Sequence, residues 1–269
     1  MTRRPASRHV SGVMARLAPV IGLAALIALA AFMVSLAGCA ADSQAASKQG
    51  LRPGTHWIVA ADLSASRQPT QLQEGQDFVK GLTRVVRNGD AVTLFRVYER
   101  GFADTNFIWT SEISAARDPD KPRPSDSLAL IDFADELTAE VTVLFNPSKA
   151  GKLQGTDLFT TLHRAAELAA ADPRRRHVLI IVSDMLQSTR DVDMERNLPD
   201  TTWIRRAAND RILPNLSGVC AVVIGADVAT ARGKHVQAFW EQYFRLAGGD
   251  LRGSNYRNFA PSPEGMSCS

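Results

Sequence analysis

The chain has 269 residues, with 31 Lys and Arg against 28 Asp and Glu. The basic excess sits in residues 1–38, which carry Arg3, Arg4, Arg8 and Arg16 and no acid, so beyond them 27 basic residues face 28 acidic ones. That near-neutral remainder has no electrostatic footprint for nucleic acid, and its 231 residues suffice for one good-sized core.

In chain order, the arginine-bearing start gives way at Leu17 to an uncharged Ala-, Leu- and Ile-rich run ending in Leu36-Ala37-Gly38-Cys39. Small residues ahead of a cysteine admit a peptidase to the backbone, and the thiol supplies a nucleophile for acylation. The four residues resemble the lipobox of bacterial lipoproteins. That resemblance implies that Cys39 is lipidated and becomes the mature N-terminus of a periplasm-facing protein of the cell envelope. A retained membrane-spanning anchor is the competing reading, since about twenty apolar residues span a bilayer. Ala40, where lipoproteins kept at the inner membrane carry an acid, leans towards the outer membrane. Residues 40–50 are small and polar, as a tether is expected to be.

From Trp57 onward, short apolar runs alternate with amphipathic ones. Trp57–Ala61 (WIVAA), Ala91–Tyr98 (AVTLFRVY), Val178–Val182 (VLIIV) and Val219–Ile224 (VCAVVI) read as strands, most of them apolar throughout and so covered on both faces. Helical spacing appears over Leu72–Val86, Thr156–Ala171, Thr202–Leu213 and Val236–Leu246. Asn106–Ile113 reads as a short edge strand and residues 114–127 as a loop. Leu128–Thr138 reads as a helix, with Val141–Phe145 a separate apolar piece of unsettled boundary. Strands separated by helices predict an α/β fold: a doubly wound, mostly parallel central sheet with helices on both faces. The expected organisation is a signal peptide over 1–38, a lipidated N-terminus and tether over 39–54, one domain over 55–250 and a polar tail over 251–269.

Such sheets place their working groups beyond the carboxyl ends of the strands. The first strand runs into Asp62-Leu63-Ser64-Ala65-Ser66, so a carboxylate and two hydroxyls leave at alternate positions. Thr156 stands at a helix start and Asp184 follows the VLIIV strand. All five are hard oxygen donors, suited to Mg²⁺. The ordered set D-x-S-x-S, Thr, Asp resembles the metal-ion-dependent adhesion site of von Willebrand factor A (vWA, integrin I-type) domains, over about Trp57–Leu246. The resemblance implies a Mg²⁺ site (or Mn²⁺ or Ca²⁺) in which Ser64, Ser66 and Thr156 bind through hydroxyls. Asp62 and Asp184 act directly or through water, and the remaining position takes a carboxylate from a protein partner. Taken singly, Thr156 reads as a helix N-cap and Asp184 as a polar strand end.

The expected function is therefore a binding module without catalysis, lipid-anchored to a membrane at Cys39. A Mg²⁺-dependent phosphoester hydrolase and a scaffold with an idle metal site are the alternatives. The five histidines share no metal-ligand spacing, and Arg174-Arg175-Arg176 reads as a solvated turn on the opposite face. With Cys39 acylated, Cys220 and Cys268 remain. An oxidising compartment favours their pairing, while a cysteine within an apolar strand is commonly buried and inert; both outcomes stay open here.

Overall fold

The computed structural model describes residues 54–97, 107–118, 120–146, 148, 155–259 and 262–268. Residues 1–53, over which the signal peptide, the lipidated Cys39 and nearly all of the tether are expected, lie outside the described residues.

Six strands form one sheet: β1 (Thr55–Asp62), β2 (Ala91–Val97), β3 (Phe107–Glu112), β4 (Arg176–Val182), β5 (Val219–Ile224) and β6 (Asp250–Arg257). Their order is β3-β2-β1-β4-β5-β6, parallel throughout except for β3, which pairs antiparallel with β2 at one edge. Helices α1 (Pro69–Lys80), α2 (Pro124–Leu144), α3 (Leu158–Ala171), α4 (Thr201–Asn209) and α5 (Ala231–Leu246) complete the fold. Successive strand side chains alternate between faces, so β1 serves two cores. Ile58 and Ala60 join Leu158, Leu162, Trp240, Tyr243 and Phe244 on one side. Val59 and Ala61 join Phe78, Val79, Phe133, Leu137 and Val141 on the other. This double burial explains the unbroken apolar runs; each fully buried large side chain contributes about 1.5–3 kcal/mol. The α/β doubly wound sheet is the one the pattern predicts.

The chain moves outward from β1 to β2 and β3, then returns to place β4 on the other side of β1. The crevice between the carboxyl ends of β1 and β4 is thus a topological switch point, where open α/β sheets bind ligands.

Four local expectations are corrected. Val141–Phe145 is no separate piece: α2 runs unbroken to Leu144, because Phe133, Leu137, Val141 and Leu144 keep one buried helical face. Buried Arg96 on β2 stops it, donating from Nε to Leu144 O (3.1 Å) and from Nη2 to Val143 O (2.5 Å). The helix expected over Leu72–Val86 is α1, which gives way at Gly81 to a 3₁₀ turn through Arg84. The helix placed over Thr156–Ala171 begins at Leu158; its cap is Asp157, whose carboxylate accepts from Thr160 N (3.1 Å).

The polar tail expected from residue 251 instead supplies β6, which extends the sheet beside β5. Ala221 pairs with Leu251 but Val223 pairs with Tyr256, so β6 bulges outward between the two contacts. Only Leu251, Asn255 and Tyr256 are buried along it. Cys220 and Cys268 form a disulfide, with Cα atoms 5.8 Å apart. The buried Asn255 amide holds the returning segment, accepting from Ser267 N (3.1 Å) and donating to Ser267 O (3.3 Å).

Candidate metal centre

Asp62 is the last residue of β1 and is fully buried. Its Oδ1 accepts from Ser64 N (2.9 Å), a local bond that turns the chain sharply off the strand. A second bond, Arg67 N to Ser64 O (3.1 Å), closes the turn. The alternation of Ser64 and Ser66 then places the two hydroxyls 3.0 Å apart.

Thr156 arrives from a distant segment and is held by backbone pairing with Ser188, whose N–H and carbonyl both bond it at 2.9 Å. Because Asp157 caps α3, the Thr156 hydroxyl is left for the site and lies 3.4 Å from both oxygens of Asp62. Gln187, nearly fully buried, fixes this junction. It accepts from Leu158 N (2.6 Å) and donates to Asp157 Oδ1 (3.2 Å).

Asp184 follows β4. Its Oδ2 accepts from the Ser66 hydroxyl (2.9 Å) and its Oδ1 from Leu186 N (3.0 Å). The next residue, Met185, is buried with φ +65°, a left-handed backbone that costs a non-glycine residue about 1–3 kcal/mol. Two bonds hold it there: Met185 N donates to Ser183 Oγ (2.9 Å), and Trp240 Nε1 of α5 donates to Met185 O (2.8 Å).

All five sequence-predicted residues are therefore brought to one place by three separate segments. Burial grades outward, from Asp62, Thr156 and Ser64 to half-buried Asp184 and exposed Ser66, so the cluster opens to solvent on the Ser66 side. Burial, and then the charge of Asp184, raise the pKa of Asp62 above the usual carboxylate range. Two carboxylates so placed are electrostatically costly without a cation.

The residues fit a hard divalent ion. Metal–oxygen bonds of about 2.1 Å in an octahedron place adjacent ligand oxygens about 3.0 Å apart. The Ser64–Ser66 and Ser66–Asp184 oxygen separations of 3.0 and 2.9 Å match that edge. The donor set holds oxygen alone, with no thiolate or imidazole.

Two residues of this centre escaped the sequence reading. Ser183, fully buried, donates its hydroxyl to Asp62 Oδ2 (2.8 Å) while accepting from Met185 N. Its signal was adjacency to Asp184, which the sequence shows without a role. Arg67 directly follows Ser66 and is buried, donating from Nη1 to Gly225 O (2.9 Å) at the end of β5. In the charge-rich segment after Asp184, Ser188, Arg190, Asp193 and Arg196 border, with Trp203, an open depression of about 670 Å³, and Ser188 is the residue paired with Thr156.

No family model and no curated protein matches the chain. Solved structures do. One is a von Willebrand factor type A protein from Catenulispora acidiphila, at 10% identity and TM-score 0.37, covering 72% of this chain and 43% of that one. A second is the pilus adhesin SpaC from Lactobacillus rhamnosus GG in an open conformation, at 12% identity and TM-score 0.40, covering 76% and 28%. A third is proximal thread matrix protein 1 from the mussel byssus, with zinc occupying its MIDAS motif, at 15% identity and TM-score 0.39, covering 72% and 46%. The chain spans less than half the length of each. Similarity at this level carries no argument about chemistry, which stands on the residues themselves. The observed sheet is the α/β one that the resemblance to vWA domains implies.

Proposed function

We propose that this chain is an envelope lipoprotein whose α/β domain binds a protein partner through a divalent cation held by Asp62, Ser64, Ser66, Thr156 and Asp184. One observation carries the reading: oxygen groups from three distant segments meet at the sheet's switch point, around a fully buried carboxylate with a second carboxylate beside it. Ser64, Ser66 and Thr156 offer neutral oxygens, while Asp62 and Asp184 supply the negative charge. When bound, a Mg²⁺, Mn²⁺ or Ca²⁺ ion supplies a Lewis-acidic centre that accepts a carboxylate oxygen. The exposed Ser66 side is where an acidic partner side chain has access.

Titration of the full-length chain with Mn²⁺ tests the site. One binding site is expected, weakened at least about tenfold in Asp62→Ala and in Ser64→Ala. Unchanged affinity in both variants removes the reading. For the anchor, metabolic lipid labelling is expected to be lost in Cys39→Ser; a normally labelled variant contradicts lipidation at that residue.

The hydrolase alternative finds no base in the buried histidines. Buried His56 and His177 stand at the amino ends of β1 and β4. Six residues of strand, about 20 Å, separate His56 from Asp62. The Ser64 hydroxyl bonds Ser66 rather than a proton acceptor suited to activating it.

A further inference from the structure

We propose that Arg67 is a resident counter-cation of the metal centre, which holds its intrinsic affinity for divalent ions low; the inference rests on the metal-site reading above. Arg67 is 5% exposed, and its backbone N–H closes the turn that carries Ser64 and Ser66 by donating to Ser64 O. Its guanidinium lies against the backbone of Gly225, where a Cβ would stand 2.3 Å from Nη2 and 2.6 Å from Nη1. Gly225 also has φ +99°, so glycine is required there both for conformation and for the seat it leaves to Arg67.

The bonding of this arginine is incomplete. Nη1 reaches Gly225 O, but Nε and Nη2 are buried without an acceptor among the described residues. Burying a guanidinium with donors unspent is unfavourable, and such a group is normally paired. Burial outweighs the acids around it, and Asp184, Asp62 and Glu74 offset that cost in part, the first two being members of the metal centre. The seat of the guanidinium adjoins the centre, since Ile224, the residue before Gly225, accepts at its carbonyl from Ser183 N (3.0 Å), the residue before Asp184; Arg67 thus serves both carboxylates as a fixed positive charge.

Two consequences follow. A divalent ion entering the cluster meets a permanent like charge in a poorly screened interior, so it binds more weakly than two aspartates and three hydroxyls alone would hold it. Once loaded, the set of Asp62, Asp184, Arg67 and a dication has a net charge of about +1 where it would otherwise be neutral. Free energy is thereby moved from holding the metal to attracting an anionic ligand, as suits a centre that works by capturing a carboxylate.

The test compares Mn²⁺ affinity of the full-length chain purified in detergent with that of Arg67→Gln, which keeps a donor for Gly225 O but no charge, and Arg67→Lys, which keeps the charge. Arg67→Gln is expected to bind Mn²⁺ at least about tenfold more tightly, and Arg67→Lys to stay within about threefold of the parent. Binding by Arg67→Gln that is equal to or weaker than the parent's overturns the proposal and makes Arg67 a purely structural clamp. If Arg67→Gln fails to fold without metal, folding restored by millimolar Mg²⁺ supports the proposal, and a variant that stays unfolded in Mg²⁺ contradicts it. A parent that binds Mn²⁺ while Arg67→Gln gains nothing defeats this inference alone; if neither the parent nor Arg67→Gln binds Mn²⁺, the metal-site reading falls as well.

Discussion

The two ends of the sheet handle buried charge in opposite ways. At the amino end, Asp90 is buried with both oxygens spent on the protein. Oδ1 accepts from Thr55 N (2.7 Å), and Oδ2 from Trp57 Nε1 (3.1 Å) and Arg87 N (3.0 Å). Nearby, Arg175 bonds Gly89 O and pairs with Asp172 and Glu112, so only its neighbour Arg174 behaves as the solvated turn expected of that run. The disulfide ties the last residues to the same region. At the carboxyl end the partners are shared or missing. Ser64, Ser66 and Asp184 bond one another in a chain, Met185 is held in a strained conformation, and Arg67 has two donors without an acceptor among the described residues. The amino end pairs its buried acid internally, although His177 Nδ1 has no partner there among the described residues; the carboxyl end leaves the Arg67 donors and the open Ser66–Asp184 side for something to complete. That asymmetry is the physical signature of a site set on a scaffold.

The largest expected effect breaks the scaffold end alone. Replacing Cys220 and Cys268 together by serine frees a loop closed over 48 residues and is expected to lower stability by about 2–4 kcal/mol. Thermal melts should register that loss while Mn²⁺ affinity stays unchanged. A simultaneous loss of metal binding would show that the two ends are not independent.

Acid should act next most strongly, again at the amino end. Parallel register places His56 beside His177, with ring centroids 5.7 Å apart. Burial, then the neighbouring His177 and Arg175, lower the His56 pKa to about 4, and burial lowers His177 as well. Both are depressed below the unfolded value, so the unfolded chain takes up protons first. Stability is full above about pH 6.5 and falls as pH drops towards 4, by at most about 3 kcal/mol for His56. Denaturant midpoints measured across that window should show the slope, and His56→Gln should flatten it.

A smaller contrast compares the two buried aspartates directly. Asp90→Ala strands three donors and is expected to cost about 2 kcal/mol. Asp62→Asn, measured without metal at neutral pH, is expected to cost less than Asp90→Ala, because the repulsion from Asp184 that it relieves offsets the counter-charge it takes from Arg67. Equal losses in the two variants would erase the distinction between the ends. A loss of about 1–2 kcal/mol is expected from Ser183→Ala, which strands the Met185 N–H and removes a donor to Asp62. Its mark should be a roughly tenfold weaker Mn²⁺ affinity, since Ser183 orients Asp62.

What was legible in the sequence follows from the same physics. Strands β1, β4 and β5 are covered on both faces, so their apolar runs are unbroken. The five donors could be read because each stands where a strand ends or a helix begins. Strand β6 was not legible, because an edge strand with a bulge needs only Leu251, Asn255 and Tyr256 to face inward, and its sequence looks like a polar tail. The β-branched end of α2 looked strand-like, but Thr138 and Thr142 bond back to Ala134 O and Thr138 O within the helix. The pairing of His56 with His177 depends on register across 121 residues, which spacing along the chain does not reveal. Arg67 and Ser183 stood next to recognised residues, yet their roles depend on where β5 and the Met185 turn lie in space. The segment that carries Cys268 starts beside Cys220, where Asp250 pairs with it, then climbs along β6 and returns over Asn255 before the bridge closes.

The central claim is that Asp62, Ser64, Ser66, Thr156 and Asp184 together hold a divalent ion. A crystal grown in Mn²⁺ and measured for anomalous scattering addresses it most directly. A single manganese peak is expected at the switch point, within about 2.2 Å of the Ser64 and Ser66 hydroxyl oxygens. Manganese found only elsewhere on the chain, with the Ser64–Ser66–Asp184 hydrogen bonds intact, would contradict the account.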